Sequence, residues 1–327
     1  MKRDIIITSE ILRDPARLRE AMGYDTVIIK NPSGTMINLE ELTPFFEGLK
    51  NNTNITSINL GLNDIGDGGA KVTADILAQN DTLTSIDLTK NNIGLDGASA
   101  IATAIAQNKT LTSINLTKNN IGLDGASAIA TPTVQNYTLT SIDLWGNNIG
   151  IDGARAISTA IAQNDTLTSI NLSWNKIGDQ GAGFIADSLA QNKTLTSIDL
   201  GSNNIGALGA GFIADSLTQN KTLTSIILGD NNIGLDGASA IATAIAQNKT
   251  LTSIDLGWND IGDAGASAIA TAIAQNKTLT SIDLMCNNIS DNLKEEIESH
   301  TKNNYQFLRN AEEVLINDPE NITHEQL

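Results

Sequence analysis

A chain of 327 residues suggests about two domains by length, a rule that fails where one core grows by repetition. Its 20 Lys and Arg face 37 Asp and Glu, a net charge of −17. Such a surface repels nucleic acid and anionic membranes, so neither is expected as a partner.

At the N-terminus the apolar run Ile5-Ile6-Ile7 is far too short for a signal-peptide core. Asp14-Pro15 opens a predicted helix over Ala16–Met22, with Pro at the first helical position. A second helix is expected over Leu39–Leu49, inside a degenerate unit spanning 24–54. Residues 1–54 are read as an N-terminal capping region, because a solenoid must shield the ends of its core from water.

From Ile55 the chain repeats itself with a 28-residue period, restarting at Leu83, Leu111, Leu139, Leu167, Leu195, Leu223 and Leu251. A partial ninth unit starts at Leu279 and drifts after Ile289, so the repeat region is 55–289. Within one unit, Leu83-Thr84-Ser85-Ile86-Asp87-Leu88 alternates as a strand does, with Leu83, Ile86 and Leu88 inward and Ser85, Asp87 and Thr89 outward. The second half carries Ala98, Ile101, Ala102 and Ile105 at helical spacing. Asp96 is placed to cap that helix, and Asn108 to end it in a left-handed conformation. Neither half can bury its apolar face alone, so units must stack, with strands lining one face. Pro132 in the third unit predicts a shortened or kinked helix, at about 3 kcal/mol in a regular one. Ala207-Leu208 in the sixth replaces the expected capping Asp.

After the repeats, helices are expected over Asn292–Thr301 and Tyr305–Ile316, followed by a frayed polar end at Asn317–Leu327. Residues 290–327 read as a C-terminal helical cap and acidic tail, with Glu312, Glu313, Glu320 and Glu325 near its end.

The pattern Leu83, Ile86, Leu88, Asn91, Ile93 resembles the leucine-rich repeat, and the 28-residue length resembles its ribonuclease-inhibitor-like subclass. The resemblance implies an α/β solenoid, a horseshoe with parallel β-strands on the concave face and α-helices on the convex face. It also implies an asparagine column (Asn63, Asn91, Asn119, Asn147, Asn175, Asn203, Asn231, Asn259, Asn287) that hydrogen-bonds backbone along the turn.

Little in the sequence supports catalysis. His300 and His324 lie outside the repeats, and Cys286 has no evident histidine partner. There is no phosphate loop and no zinc spacing, and Asp230–Gly237 lacks the spacing of a calcium loop. The Asn-x-Thr triplets recur because the repeat recurs. No enzyme, cofactor or metal is expected. A lone cysteine excludes an intrachain disulfide and suits a reducing compartment, so the protein is expected in a cytoplasm, or secreted into a host cell by a non-classical route.

Unit-to-unit variation locates the expected binding residues. The fifth strand position runs Asn59, Asp87, Asn115, Asp143, Asn171, Asp199, Ile227, Asp255, Asp283, and alternating Asn with Asp relieves cross-strand repulsion. The seventh and eighth positions vary far more. They hold Lys90, Lys118 and Asp230, and all three tryptophans of the chain, Trp145, Trp174 and Trp258. Exposed Trp within an acidic rim resembles a binding hot spot. The competing reading is that each ring lies over a neighbouring Gly and closes a packing gap. Trp145, Trp174, Trp258, Ile227, Asp143, Asp199, Asp230, Asp255, Lys90 and Lys118 are therefore the candidate partner-binding residues of a monomeric protein-interaction module.

The near-identity of the units resembles leucine-rich-repeat effectors of intracellular bacteria, which implies action on a host protein. The alternative is a non-enzymatic regulator of a small GTPase, of the leucine-rich GTPase-activating type. A ligase with an attached catalytic domain lacks the chain length for one, and an idealised repeat without a partner is the fourth reading.

Overall fold

The computed structural model describes residues 3–30 and 34–317, with 311–317 described by backbone alone. His324, Glu320 and Glu325, the side chains of Glu312 and Glu313, and the polar end after Asn317 lie outside the described residues. The chain divides into two compact units, Met1–Lys176 and Ile177–Leu327.

The first unit opens with β1 (Asp4–Ile7), α1 (Ser9–Leu12), α2 (Pro15–Ala21), β2 (Thr26–Ile29) and α3 (Leu39–Leu49). Strands β3 (Ser57–Asn59), β4 (Ser85–Asp87), β5 (Ser113–Asn115), β6 (Ser141–Asp143) and β7 (Ser169–Asn171) then alternate with α4 (Gly66–Leu77), α5 (Leu95–Gln107), α6 (Gly122–Thr133) and α7 (Gly150–Gln163). Neighbouring strands pair in parallel in chain order, and Ile58, Ile86, Ile114, Ile142 and Ile170 stand in one register row. The second unit contains α8 (Gly178–Gln191), β8 (Ser197–Asp199), α9 (Ala207–Gln219), β9 (Ser225–Ile227), α10 (Gly234–Gln247), β10 (Ser253–Asp255), α11 (Gly262–Gln275), β11 (Ser281–Asp283) and α12 (Asp291–Asn317). Its strands are also parallel and in register.

The strands are short for a local reason. At the fifth position an Asp or Asn side chain accepts the N–H two residues on, as Asp87 Oδ1 does from Thr89 at 2.9 Å and Asp143 Oδ1 from Trp145 at 2.9 Å. This Asx turn ends the strand and bends the chain toward the helix. The alternation of sides is as expected: Leu83, Ile86 and Leu88 are buried, while Ser85, Asp87 and Thr89 are partly exposed. Ala98, Ile101, Ala102 and Ile105 bury the helix face against them.

Two buried asparagine columns satisfy the backbone that the turns leave unpaired. Asn91 accepts from Asn63 N and Ile65 N of the preceding repeat, and donates to Leu60 O and Thr89 O. This column matches the expected one. The second lies after the helices. Asn108 was expected in a left-handed conformation, but it is extended, at φ −73° and ψ 139°. Its amide instead donates to Leu77 O at 2.6 Å and its oxygen accepts from Thr110 N and Leu111 N. The reason is that a neighbouring repeat supplies carbonyls that an isolated helix end would lack.

Helix starts depart from expectation in a related way. Asp96 makes no cap; the N-cap of α5 is Gly94, and Asp67 of the preceding repeat accepts from Gly94 N at 2.7 Å and Gly97 N at 2.9 Å. Asp179 does the same for Gly206 and Gly209 of α9, the helix expected to lack a cap. The two helices capped from the preceding repeat begin from an extended glycine (Gly94, Gly206), whereas Gly122, Gly150, Gly178, Gly234 and Gly262 take positive φ. Helix α6, which contains Pro132, ends at Thr133 while α7 runs on to Gln163, as expected of a shortened helix; α4, without a proline, ends at the equivalent Leu77, so proline is not the only cause of a short helix here.

Toward the N-terminus, β1 joins the sheet beside β2, a strand the short apolar run did not announce. Helix α2 starts as expected, with Asp14 accepting from Ala16 N and Arg17 N. Helix α3 matches its expected range and buries Leu42, Phe45, Phe46 and Leu49. Toward the C-terminus, the two expected helices are one continuous helix, α12. The stretch from Thr301 to Asn317 contains neither Pro nor Gly to break it. Ile297 and Asn304 of α12 are buried, and Asn304 Nδ2 donates to Leu279 O at 2.9 Å. No described helix is long and apolar enough to cross a membrane.

Candidate protein-binding surface

On the strand side, each repeat presents its third and fifth positions from the strand and its seventh and eighth from the turn that follows. The eighth residue takes a left-handed backbone in all nine repeats, with φ from +49° at Lys118 to +67° at Leu62. A non-glycine residue there costs about 1 kcal/mol. Two of the three tryptophans occupy such positions, Trp174 at φ +59° and Trp258 at φ +58°.

In Met1–Lys176 the structure brings four of the candidate residues together. The rings of Trp145 and Trp174 meet edge to face with centroids 6.1 Å apart. Lys118 Nζ lies 4.2 Å from the Trp145 centroid and 6.0 Å from that of Trp174. An edge-to-face pair with a cation on the ring face is a favoured aromatic geometry, worth about 0.5–1.5 kcal/mol for the ring pair. Asp143 supports it from the strand. Its carboxylate accepts from Trp145 N, from Thr117 Oγ1 at 2.9 Å and from Asn171 Nδ2 at 3.3 Å. Trp145 is half-buried and Trp174 is 56% exposed, so the pair offers one open aromatic face beside one anchored ring. Lys90 is exposed on the turn before Lys118.

The other candidates lie in Ile177–Leu327. Register places Ile227 between Asp199 and Asp255, and Asp255 beside Asp283. Asp199 accepts from Gly201 N and Asp255 from Gly257 N, each in an Asx turn that Ile227 cannot make. Asp230 accepts from Ser202 Oγ at 2.6 Å. Trp258 is 61% exposed and Met285, on the following turn, 63%. Burial pushes the Asp255 carboxyl above the usual carboxylate range; the Gly257 N–H opposes this and the Asp283 charge adds to it.

Sequence reasoning passed over Asp283 and Met285 as site residues, although both continue the columns that selected the others. It also passed over Thr117 and Asn171, which hold Asp143 and carry no signal of their own because every repeat offers Ser, Thr or Asn nearby. Among the described residues no cluster of His, Cys, Asp and Glu is arranged to hold a metal ion.

Parallel strands, helices on the opposite side and buried asparagine ladders define a repeat solenoid whose variable side chains lie on its strand face. A model described as Leucine Rich repeat matches residues 51–72, 79–102, 107–130, 135–158, 163–186, 191–214, 219–242, 247–270 and 275–292, and the chain belongs to the leucine-rich-repeat family. Such repeats build protein-interaction modules. No curated protein sequence matches the chain. Among solved structures, the leucine-rich repeat-containing protein LegL7 from Legionella pneumophila is 20% identical with a TM-score of 0.55, over 91% of this chain and 98% of that one. An internalin, inlF, from Listeria monocytogenes is 19% identical with a TM-score of 0.50, over 88% of this chain and 75% of that one. At these identities the likeness concerns the fold.

Proposed function

We propose that this protein is a binding module that takes a partner protein on its strand face, with Trp145, Trp174 and Trp258 as anchors. The observation that carries this reading is the exposure of Trp174 and Trp258 at left-handed positions. A packing role predicts buried rings, and a backbone role predicts glycine, as at Gly146, which takes φ +66° in the same column. An exposed tryptophan held there at a cost in stability fits selection for contact. Lys90, Lys118 and the aspartates provide the polar surround of the anchors.

The test is an affinity pull-down from eukaryotic lysate read by mass spectrometry. The parent is compared with a folded Trp145→Ala/Trp174→Ala/Trp258→Ala variant. Retention by the parent and loss by the variant is expected; equal recovery by both moves the interface off this face. We further propose that 1–54 and 290–327 close the two ends of the apolar core. We place the protein's action in a cytoplasm, that of a host cell after non-classical delivery, a reading supported by the near-identical repeats and the acidic C-terminal residues.

A further inference from the structure

The two units neutralise their strand-face carboxylates differently. In Met1–Lys176 the fifth-position aspartates alternate with asparagines that donate to them: Asn59 Nδ2 lies 2.9 Å from Asp87 Oδ2, and Asn171 Nδ2 binds Asp143. Lys90 and Lys118 add positive charge on the adjoining turns. In Ile177–Leu327 the alternation fails. Asp255 and Asp283 are register partners on β10 and β11. Their carboxylates converge over Gly257, where an added Cβ would lie 3.3 Å from Asp255 Oδ1 and 3.6 Å from Asp283 Oδ1. Asp230 and Asp260 stand on the neighbouring turns, both exposed.

Among the described residues, the strand face of this unit supplies no cation to offset them. The repeat lysines here, Lys193, Lys221, Lys249 and Lys277, all follow a helix in the Asn-Lys-Thr turn. The described strands and the turns after them in this unit carry no Lys, Arg or His. Like charges directly opposite across a sheet destabilise it. The face is also apolar and open, with Trp258 and Met285 exposed and Ile227 half-buried beside a floor of Gly201, Gly229 and Gly257.

Resting on the protein-binding reading above, we propose that this face docks an extended, arginine-bearing segment of the partner. Its guanidinium lies between the Asp255 and Asp283 carboxylates and against the Trp258 ring. A planar guanidinium suits all three groups, because it bonds carboxylates through a fork of donors and stacks on an indole face. Ile227 and Met285 take the segment's apolar side chains. A second copy of this chain, with the same net −17, is disfavoured as occupant by charge.

The test uses the full chain and fluorescence polarisation of a fluorescein-labelled peptide of alternating Arg and Ser, with a Glu-for-Arg peptide as control. Asp255→Asn/Asp283→Asn is compared with Asp187→Asn/Asp215→Asn, which removes the same charge from exposed positions on α8 and α9. The strand-face pair should weaken Arg-peptide binding about tenfold, Trp258→Ala about threefold, and the helix pair less than about twofold. Thermal melts confirm that each variant is folded. Equal losses from both aspartate pairs mean diffuse attraction to an acidic protein and overturn the proposal. Equal binding of the Glu peptide overturns it, as does self-association of the parent that Trp258→Ala abolishes. Absence of Arg-peptide binding overturns it too, while the protein-binding reading stands or falls separately on the tryptophan pull-down.

Discussion

At the residue scale, the same side chain type does different work according to its neighbours in the next repeat. Asp143 is held by three donors and props a tryptophan, whereas Asp255, in the same column four repeats further along the chain, has a backbone N–H and an acidic neighbour. Its raised carboxyl gives a signed expectation. With the folded-state value above the unfolded one, the folded state holds its proton more tightly. The favourable contribution is complete below the unfolded value and is lost as pH rises through the folded one. Asp255→Asn should therefore stabilise the protein at neutral pH, by about 0.5 kcal/mol on the scale of a cross-strand like-charge pair. The gain should vanish in acid, where the parent carboxyl is protonated. Urea denaturation of parent and variant at pH 7 and at about pH 3 measures both; a gain that persists in acid would refute the electrostatic cause.

At the scale of the element, the starts of α5 and α9 are governed from outside the helix. Asp67 and Asp179 sit one residue earlier in their repeats than Asp96 does in its own, and that shift lets each reach the first N–H groups of the next helix. Asp96 is exposed and pairs instead with Lys71 at 3.5 Å, a surface ion pair of small worth. Asp179→Ala is expected to lower stability by about 1 kcal/mol through loss of the α9 cap, and Asp96→Ala by less than about 0.5 kcal/mol. Chemical denaturation of the two variants checks the ranking, and the reverse order would show that capping within the repeat governs. Hydrogen exchange at Gly206 and Gly209 gives the local counterpart, with faster exchange expected in Asp179→Ala alone.

At the scale of the whole molecule, repetition concentrates identity in the core and variation on the strand face. Charge follows the same division: residues 283–327 carry 10 acids against 3 bases, while 1–54 are nearly balanced at 8 against 7. If the acidic C-terminal residues direct delivery into a host cell, removing 305–327 should abolish translocation in a reporter assay. This truncation keeps Asn304 and its buried contact to Leu279 O, so the repeats should stay folded by circular dichroism. Undiminished delivery of the folded truncation would refute that role.

The sequence by itself determined the family, the strand and helix of each repeat, the inward and outward residues and the first asparagine column. All of these follow from periods of two, of 3.6 and of 28 residues that one chain displays without reference to its neighbours in space. It also singled out the columns holding Trp145, Trp174 and Trp258. Tertiary structure alone decided which residues of different repeats meet. It set Lys118 on the Trp145 ring, Asp67 and Asp179 on the next helix, Asn108 on carbonyls of the preceding repeat, and Asp255 beside Asp283. The physical reason is that a side chain's partner is chosen by distance across a 28-residue step. A shift of one residue, invisible to periodicity, changes whether a carboxylate reaches an N–H, a lysine or another carboxylate.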